Sequence, residues 1–194
     1  MEKLIGNNKI LTAVFVSGRG TNLKSIHKYS RKKHSKINLK LVVSNKPNAK
    51  GINYAKKNKI KVKIVSYKNK INAEKEIAKS LRENNIQLIC LAGFMKILSK
   101  NFVKKFKNKI LNIHPSLLPK YKGLNTHERV IKNKEKFSGC TVHFVSEKLD
   151  SGKIILQKKI KLFKSDSSRT LAKRVLNLEN KLYPKAIIKV LSRI

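Results

Sequence analysis

The sequence predicts an α/β fold built on a doubly wound, mostly parallel sheet, with an antiparallel extension near the C-terminus. Three observations carry that prediction. Apolar runs of strand length alternate with amphipathic stretches from Ile10 to His114. Polar turns, one of them glycine-rich, punctuate the ends of those runs. Past Pro119 the alternation stops, and two strand-like runs follow one another with only a turn between them.

The elements follow in order. Ile10–Ser17 is a strand, and Thr21–Lys33 is a helix opening at Gly20-Thr21. Leu39–Ser44 is a second strand, Ala49–Asn58 a helix, and Val62–Ser66 a short strand. Asn72–Asn84 places Ile77, Ala78 and Leu81 at helical spacing, and Ile86–Ala92 reads as a buried strand. Ser99–Phe106 is a short helix with Ser99 as N-cap, followed by a strand over Lys109–His114. Ser138–Ser146 and Lys153–Leu162 are strands joined by a turn around Asp150-Ser151-Gly152, which forms the antiparallel extension. Ser167–Leu191 is a long closing helix capped by Asp166 or Ser167, kinked or interrupted at Pro184. No repeat or low-complexity linker divides the chain, so residues 1–194 read as one domain with 1–8 as a loose tail.

Composition narrows the class. Hydrophobic residues make up 40% of the chain, enough for one real core. No run approaches the roughly 18 apolar residues of a membrane span, and no small-residue cleavage site follows Ile10–Val16. A cytoplasmic protein with no membrane partner is expected. Cys90 and Cys140 sit in apolar runs without metal-ligand spacing, which suits buried reduced thiols. Lys and Arg number 47 against 10 Asp and Glu, a formal net charge of +37. Seven of the 47 are arginines, so 40 are lysines, and they are spread along the chain. Specific nucleic-acid recognition favours clustered arginine or interleaved aromatics, and aromatics are only 6%. Lys, Asn and Ile all have A/T-rich codons, so genome composition accounts for the charge. Small-molecule substrates are expected rather than a specific nucleic acid.

The chemistry gathers where ligands bind in such folds, beyond the carboxyl ends of the strands. Ser17-Gly18-Arg19-Gly20-Thr21-Asn22 follows the first strand and opens the first helix, a place suited to a phosphate. It lacks both the Lys-Ser/Thr ending of a P-loop and the full GxGxxG fingerprint. In Leu111-Asn112-Ile113-His114-Pro115, strand alternation puts Asn112 and His114 on one face, and Pro115 ends the strand. An amide donates to a developing oxyanion, and an imidazole supplies a proton or a positive charge. A carboxylate from Asp150, in the late turn, would favour the imidazolium of His114. No nucleophile elbow and no well-placed cysteine is present, so direct attack by an amine is expected over a covalent acyl-enzyme.

These residues resemble a known family. Ser17–Leu23, Ser44-Asn45-Lys46, Leu91–Leu98, Leu111–Tyr121 and Gly139–Val145 with Leu149-Asp150 are similar to the phosphoribosylglycinamide formyltransferases, in the family's order from about residue 9 to 190. The resemblance implies a Rossmann-like formyltransferase fold and formyl transfer from 10-formyltetrahydrofolate to the amine of 5-phosphoribosylglycinamide, in de novo purine synthesis, with no metal. Asn112, His114 and Asp150 match the family's catalytic trio. Gly20, Thr21 and Asn22 match the phosphate loop, and Glu179 matches a carboxylate that holds the substrate amine end. Folate is implied along Met95, Lys96, Ile97 and Leu98, and along Ser146, Glu147, Lys148, Leu149 and Asp150, with Asn112 at its formyl group. Lys70 aligns with a basic residue near the folate's glutamate tail, and His127 and His143 with supporting histidines. Two positions depart from the pattern. Lys96 replaces a usual Arg, losing a bidentate fork, and Arg19 adds charge to the glycine loop. The resemblance leaves monomer and homodimer both open.

Related folate enzymes fit less well. Methionyl-tRNA formyltransferase carries an additional C-terminal domain, for which this sequence leaves no room after its closing helix. Formyltetrahydrofolate hydrolase carries an added N-terminal domain. The stretch Lys120–His127 also fits the glycinamide enzyme better.

Overall fold

The computed structural model describes residues 9–192, so the tail expected over 1–8 lies outside the described residues. Seven strands form one sheet in the order β3-β2-β1-β4-β5-β6-β7. Strands β1 (Ile10–Val16), β2 (Ile37–Ser44), β3 (Lys61–Ile64), β4 (Leu88–Leu91) and β5 (Ile110–His114) pair in parallel. Strands β6 (Phe137–Phe144) and β7 (Ile154–Lys161) continue the sheet antiparallel, as predicted. Helices α1 (Thr21–Ser30), α2 (Lys50–Lys57), α3 (Lys70–Glu83), α4 (Lys100–Lys105), α5 (Thr126–Lys132) and α6 (Ser168–Leu191) complete the order.

Alternation along β1 builds both cores. Val14 and Val16 join Leu23 and Ile26 of α1 and Tyr183 and Ile187 of α6 on one face. Ala13 and Phe15 join Ile77 and Leu81 of α3 and Phe102 of α4 on the other. Because each central strand is covered on both sides, it reads as a continuous apolar run. The direction of winding reverses between neighbouring β1 and β4, and a crevice for ligands opens at such a switch point. Ser17 ties that crevice together. Its amide donates to Gly93 O at 3.0 Å, its hydroxyl donates to Asn45 Oδ1 at 2.5 Å, and the same hydroxyl accepts from Met95 N at 2.8 Å.

The differences from the sequence reading have local causes. Helix α1 stops at Ser30 rather than Lys33, where the Ser30 hydroxyl and the Arg31 amide both turn back to His27 O. Ser99 caps α4 as expected, accepting from Phe102 N at 3.1 Å. Ser167, not Asp166, caps α6, in a capping box with Thr170, while Asp166 pairs with Arg174. Pro184 does not interrupt α6. It forgoes one helical bond, and the buried Tyr183, Ala186 and Ile187 beside it hold the helix on the sheet. Helix α5 has no counterpart among the elements read from the sequence, because only Thr126 and Val130 of its seven residues are buried and no apolar period marks it.

Tyr183 of α6 ties that helix to the centre of the sheet. The Tyr183 hydroxyl, fully buried, lies 3.0 Å from both Leu91 O and Leu111 O, at adjacent strands β4 and β5. Tyr183→Phe should lower the unfolding free energy by about 1–2 kcal/mol without changing the m-value, read by urea denaturation. An unchanged urea midpoint would show that these two carbonyls do not need the hydroxyl.

Candidate active site

Asn112 and His114 project from the same face of β5, as strand alternation requires, and His114 is the last residue of the strand. The antiparallel strand β6 sets Thr141 opposite His114 and His143 opposite Asn112. The chain then leaves β6 and curls back so that Asp150 reaches the strand end. Asp150 Oδ2 stands 3.3 Å from His114 Nδ1, and Oδ1 stands 3.7 Å from His143 Nε2. The His114 and Asp150 side chains are each only 7% exposed. The expected trio is thus brought together, with His143 as a fourth member.

Hydrogen bonds assign roles to the ring nitrogens. His114 Nε2 lies 2.8 Å from Tyr121 O, and a carbonyl only accepts, so this nitrogen carries a hydrogen. Nδ1 is therefore the nitrogen turned toward Asp150. His143 Nδ1 lies 2.8 Å from Phe144 O and donates to it. Burial lowers the His143 pKa, with Phe144 O, Asp150 and His114 as smaller influences, so its ring is neutral and Nε2 accepts from Asn112 Nδ2 at 3.3 Å. One hydrogen of the Asn112 amide is engaged in this way. Asp150 has a positive φ of 46° and accepts from Gly123 N at 2.9 Å. Gly152 makes the return of the loop possible, since a Cβ there would lie 1.7 Å from Phe144 O.

The predicted phosphate loop forms a second group. Gly20 is the left-handed N-cap of α1 (φ 72°), and a Cβ there would lie 2.8 Å from the Gly51 backbone. Thr21 begins the helix, and the exposed Arg19 stands just outside it. Asn22 Nδ2 donates to Glu179 Oε2 at 2.7 Å, joining α1 to α6, and Asn22 Oδ1 is buried without a hydrogen-bond partner. Burial pushes the Glu179 carboxyl up to about 7, against the lowering effect of Asn22. Glu179 also lies near Cys140, whose thiol is pushed up to about 12 by burial and then by this carboxylate. Cys140 precedes Thr141, the residue opposite His114, so the two groups share one end of the sheet.

The predicted folate residues fall into three settings. Met95 and Ile97 are large apolar side chains left 62% and 66% exposed, with Leu98 buried between their segment and the core. Lys96 Nζ sits 5.9 Å from the centre of the Tyr67 ring. In the loop, Leu149 is exposed, Glu147 pairs loosely with Lys104 at 3.9 Å, and the Ser146 hydroxyl donates to Lys148 O at 2.9 Å. Lys70 is an exposed residue opening α3. His127, on α5, has a buried Nδ1 without a hydrogen-bond partner, and burial, then His114, lowers its pKa. A cavity of about 750 Å³ beneath the loop takes in Val103, Ser146, Glu147, Ile155 and Lys189, but none of Asn112, His114 or Asp150. Among the described residues, no three His, Cys, Asp or Glu side chains gather in a metal-holding group, and no helix is long and apolar enough to cross a membrane.

Glu179 yields a pH prediction. Its folded value of about 7 lies above its ordinary 4.5, so the folded state holds the proton more tightly than the unfolded chain. That stabilisation is complete below 4.5 and is lost as pH rises through about 7. It amounts to roughly 3 kcal/mol as an upper bound. Glu179→Gln should therefore raise Tm relative to the parent at pH 8 but not at pH 4.5, by calorimetry. An equal change at both pH values would contradict a buried, proton-binding Glu179.

Comparison with known proteins extends this picture over the whole fold. The family described as Formyl transferase matches residues 10–187. The chain is 40% identical over 178 residues to phosphoribosylglycinamide formyltransferase of Haemophilus influenzae, covering 90% of this chain and 84% of that one. It is 41% identical over 186 residues to the trifunctional purine biosynthetic protein adenosine-3 of Gallus gallus, where it spans 94% of its own length but only 18% of that longer protein. The crystal structure of phosphoribosylglycinamide formyltransferase from Anaplasma phagocytophilum matches with a TM-score of 0.88 at 39% identity, over 93% of this chain and 85% of that one. Strand β5 with its Asn112-His114 pair, the glycine loop and α6 as far as residue 187 lie inside the matched span, and the chain belongs to the formyl transferase family, among the phosphoribosylglycinamide formyltransferases.

Proposed function

We propose that the chain transfers the formyl group of 10-formyltetrahydrofolate to the amine of 5-phosphoribosylglycinamide by direct amine attack. The observation that carries the proposal is the buried His114–Asp150 contact at the end of β5, with the Asn112 amide two residues before it. The donor supplies an electrophilic formyl carbon on a nitrogen leaving group. Around that carbon, Asn112 offers its second Nδ2 hydrogen and His114 its Nδ1 hydrogen to the formyl oxygen as it gains charge. Asp150 stabilises the positive ring while that happens. The new bond joins amine nitrogen to formyl carbon, the bond to the donor nitrogen breaks, and the proton lost by the amine ends on that departing nitrogen. No redox partner is needed.

The remaining residues hold the two substrates. Gly20, Thr21 and Asn22 present the start of α1 to the ribonucleotide phosphate, where free amides and the helix dipole favour an anion. Arg19 adds charge at that point. Glu179 takes the amine end; its raised proton affinity favours exchange of a proton for a cationic ligand. Apolar Met95, Ile97 and Leu149, left in water, fit the flat face of a folate, with Leu98, Ser146, Glu147 and Lys148 completing the walls. Lys96 offers a point charge there rather than a planar fork, and Lys70 a charge for the glutamate tail. His143 and His127 support the trio. The enzyme would work in the cytoplasm on small molecules, as a monomer or homodimer.

A spectrophotometric assay with 10-formyldideazafolate and the ribonucleotide, at moderate salt, tests the proposal. Transfer should require the ribonucleotide, and His114→Ala and Asp150→Ala should each lower kcat by about 10²–10⁴-fold with the fold retained. Near-full activity in Asp150→Ala would remove the charged-histidine account. Transfer to tRNA or water instead would change the acceptor.

A further inference from the structure

The Asp150 carboxylate stands 3.3 Å from one nitrogen of His114, and a backbone carbonyl accepts the hydrogen of the other. That carbonyl belongs to Tyr121, whose φ of 57° is left-handed, a region that bulky L residues avoid. Such a conformation persists only where its surroundings hold it. Three side chains from α5 and the turn after it do so. The Tyr121 hydroxyl donates to Glu135 Oε1 at 2.8 Å and accepts from Asn133 Nδ2 at 3.0 Å. Arg129 lies over the Tyr121 ring, 5.3 Å from its centre, and its Nη1 donates to Lys122 O at 2.7 Å and Leu124 O at 3.3 Å. Lys120 Nζ donates to the same Glu135 oxygen at 2.9 Å. Lys120 and then Tyr121 hold the Glu135 carboxyl below the usual range, so at neutral pH it is an acceptor.

We infer that Glu135 and Arg129 are positioning residues for His114, acting through Tyr121 and the loop that ends at Asn125. Both touch the loop rather than the reacting groups. The loop in turn makes two contacts with the site, Tyr121 O to His114 Nε2 and Gly123 N to Asp150 Oδ2. A carbonyl at Nε2 fixes which nitrogen faces Asp150, and an amide on Oδ2 fixes where that carboxylate stands. The latch thereby sets both the tautomer and the orientation of the ring. Its consequence for turnover rests on the proposed formyl transfer, while its effect on the ring does not.

Tyr121→Phe, Glu135→Ala and the double variant test the latch, with formyl-transfer kinetics and ¹⁵N–¹H spectra of the histidine rings recorded on each. Either single change should lower kcat about 10–100-fold while KM for the ribonucleotide stays within about twofold. The double variant should lose far less than the product of the two singles, because the Tyr121–Glu135 hydrogen bond is lost in each of them. Glu135→Gln keeps an acceptor oxygen and should recover most of kcat. The His114 Nε2–H signal should be protected from exchange in the parent and exposed in Glu135→Ala, with Tm little changed. A still-protected Nε2–H signal in Glu135→Ala, or additive losses in the double variant, would overturn the inference. If the parent protein transfers no formyl group, the functional proposal fails, and the ring spectra alone decide the latch.

Discussion

Much of this structure serves to hold a carboxylate 3.3 Å from an imidazole in a place almost closed to water. Taking a charge out of solvent is costly unless partners are waiting for it. Here Asp150 receives the Gly123 amide, and His114 receives the Tyr121 carbonyl, each from one loop. Asp150 itself adopts a left-handed backbone, and the chain can return to it only because Gly152 lets Phe144 O approach. Backbone geometry on both sides of the pair is spent on one contact.

The antiparallel end of the sheet explains how that contact is reached. A parallel strand after β5 would have required a crossover, taking the chain away from His114. Running β6 antiparallel instead places Thr141 and His143 directly opposite His114 and Asn112. The neutral His143 ring then orients the Asn112 amide, and the loop between β6 and β7 delivers Asp150. On the other side of the sheet end, Asn22 and Glu179 join the first helix to the last across 157 positions of sequence. The two groups meet because α1 and α6 pack on the same face of the sheet.

What could be read from the sequence follows from which interactions are local. Asn112 and His114 share a face by the period of a strand, and Ser99 caps a helix by a rule of three residues. The alternation of apolar runs was enough for a doubly wound sheet with an antiparallel edge. Glu179 and Asp150 were found through resemblance alone or in part, since nothing local tells a buried carboxylate from a surface one. Helix α5 escapes because its exposed face carries Glu128, Arg129 and Lys132 and its buried face is two residues. Its consequence escaped with it: the group that holds His114 is the carbonyl of Tyr121, and a backbone atom has no sequence signal. Of the two outcomes expected at Pro184, interruption does not occur, because tertiary packing of Tyr183 and Ile187 outweighs one missing helical bond.

A crystal structure of the protein with an unreactive analogue of the formyl donor and the ribonucleotide is the most direct measurement. The formyl-equivalent carbon should lie about 3–3.5 Å from the substrate amine, with its oxygen within hydrogen-bond reach of Asn112 Nδ2 and His114 and the phosphate on Gly20–Asn22. Tyr121 O should still stand on His114 Nε2. Donor bound in the cavity between Val103 and Lys189, away from His114, would contradict the account at its centre.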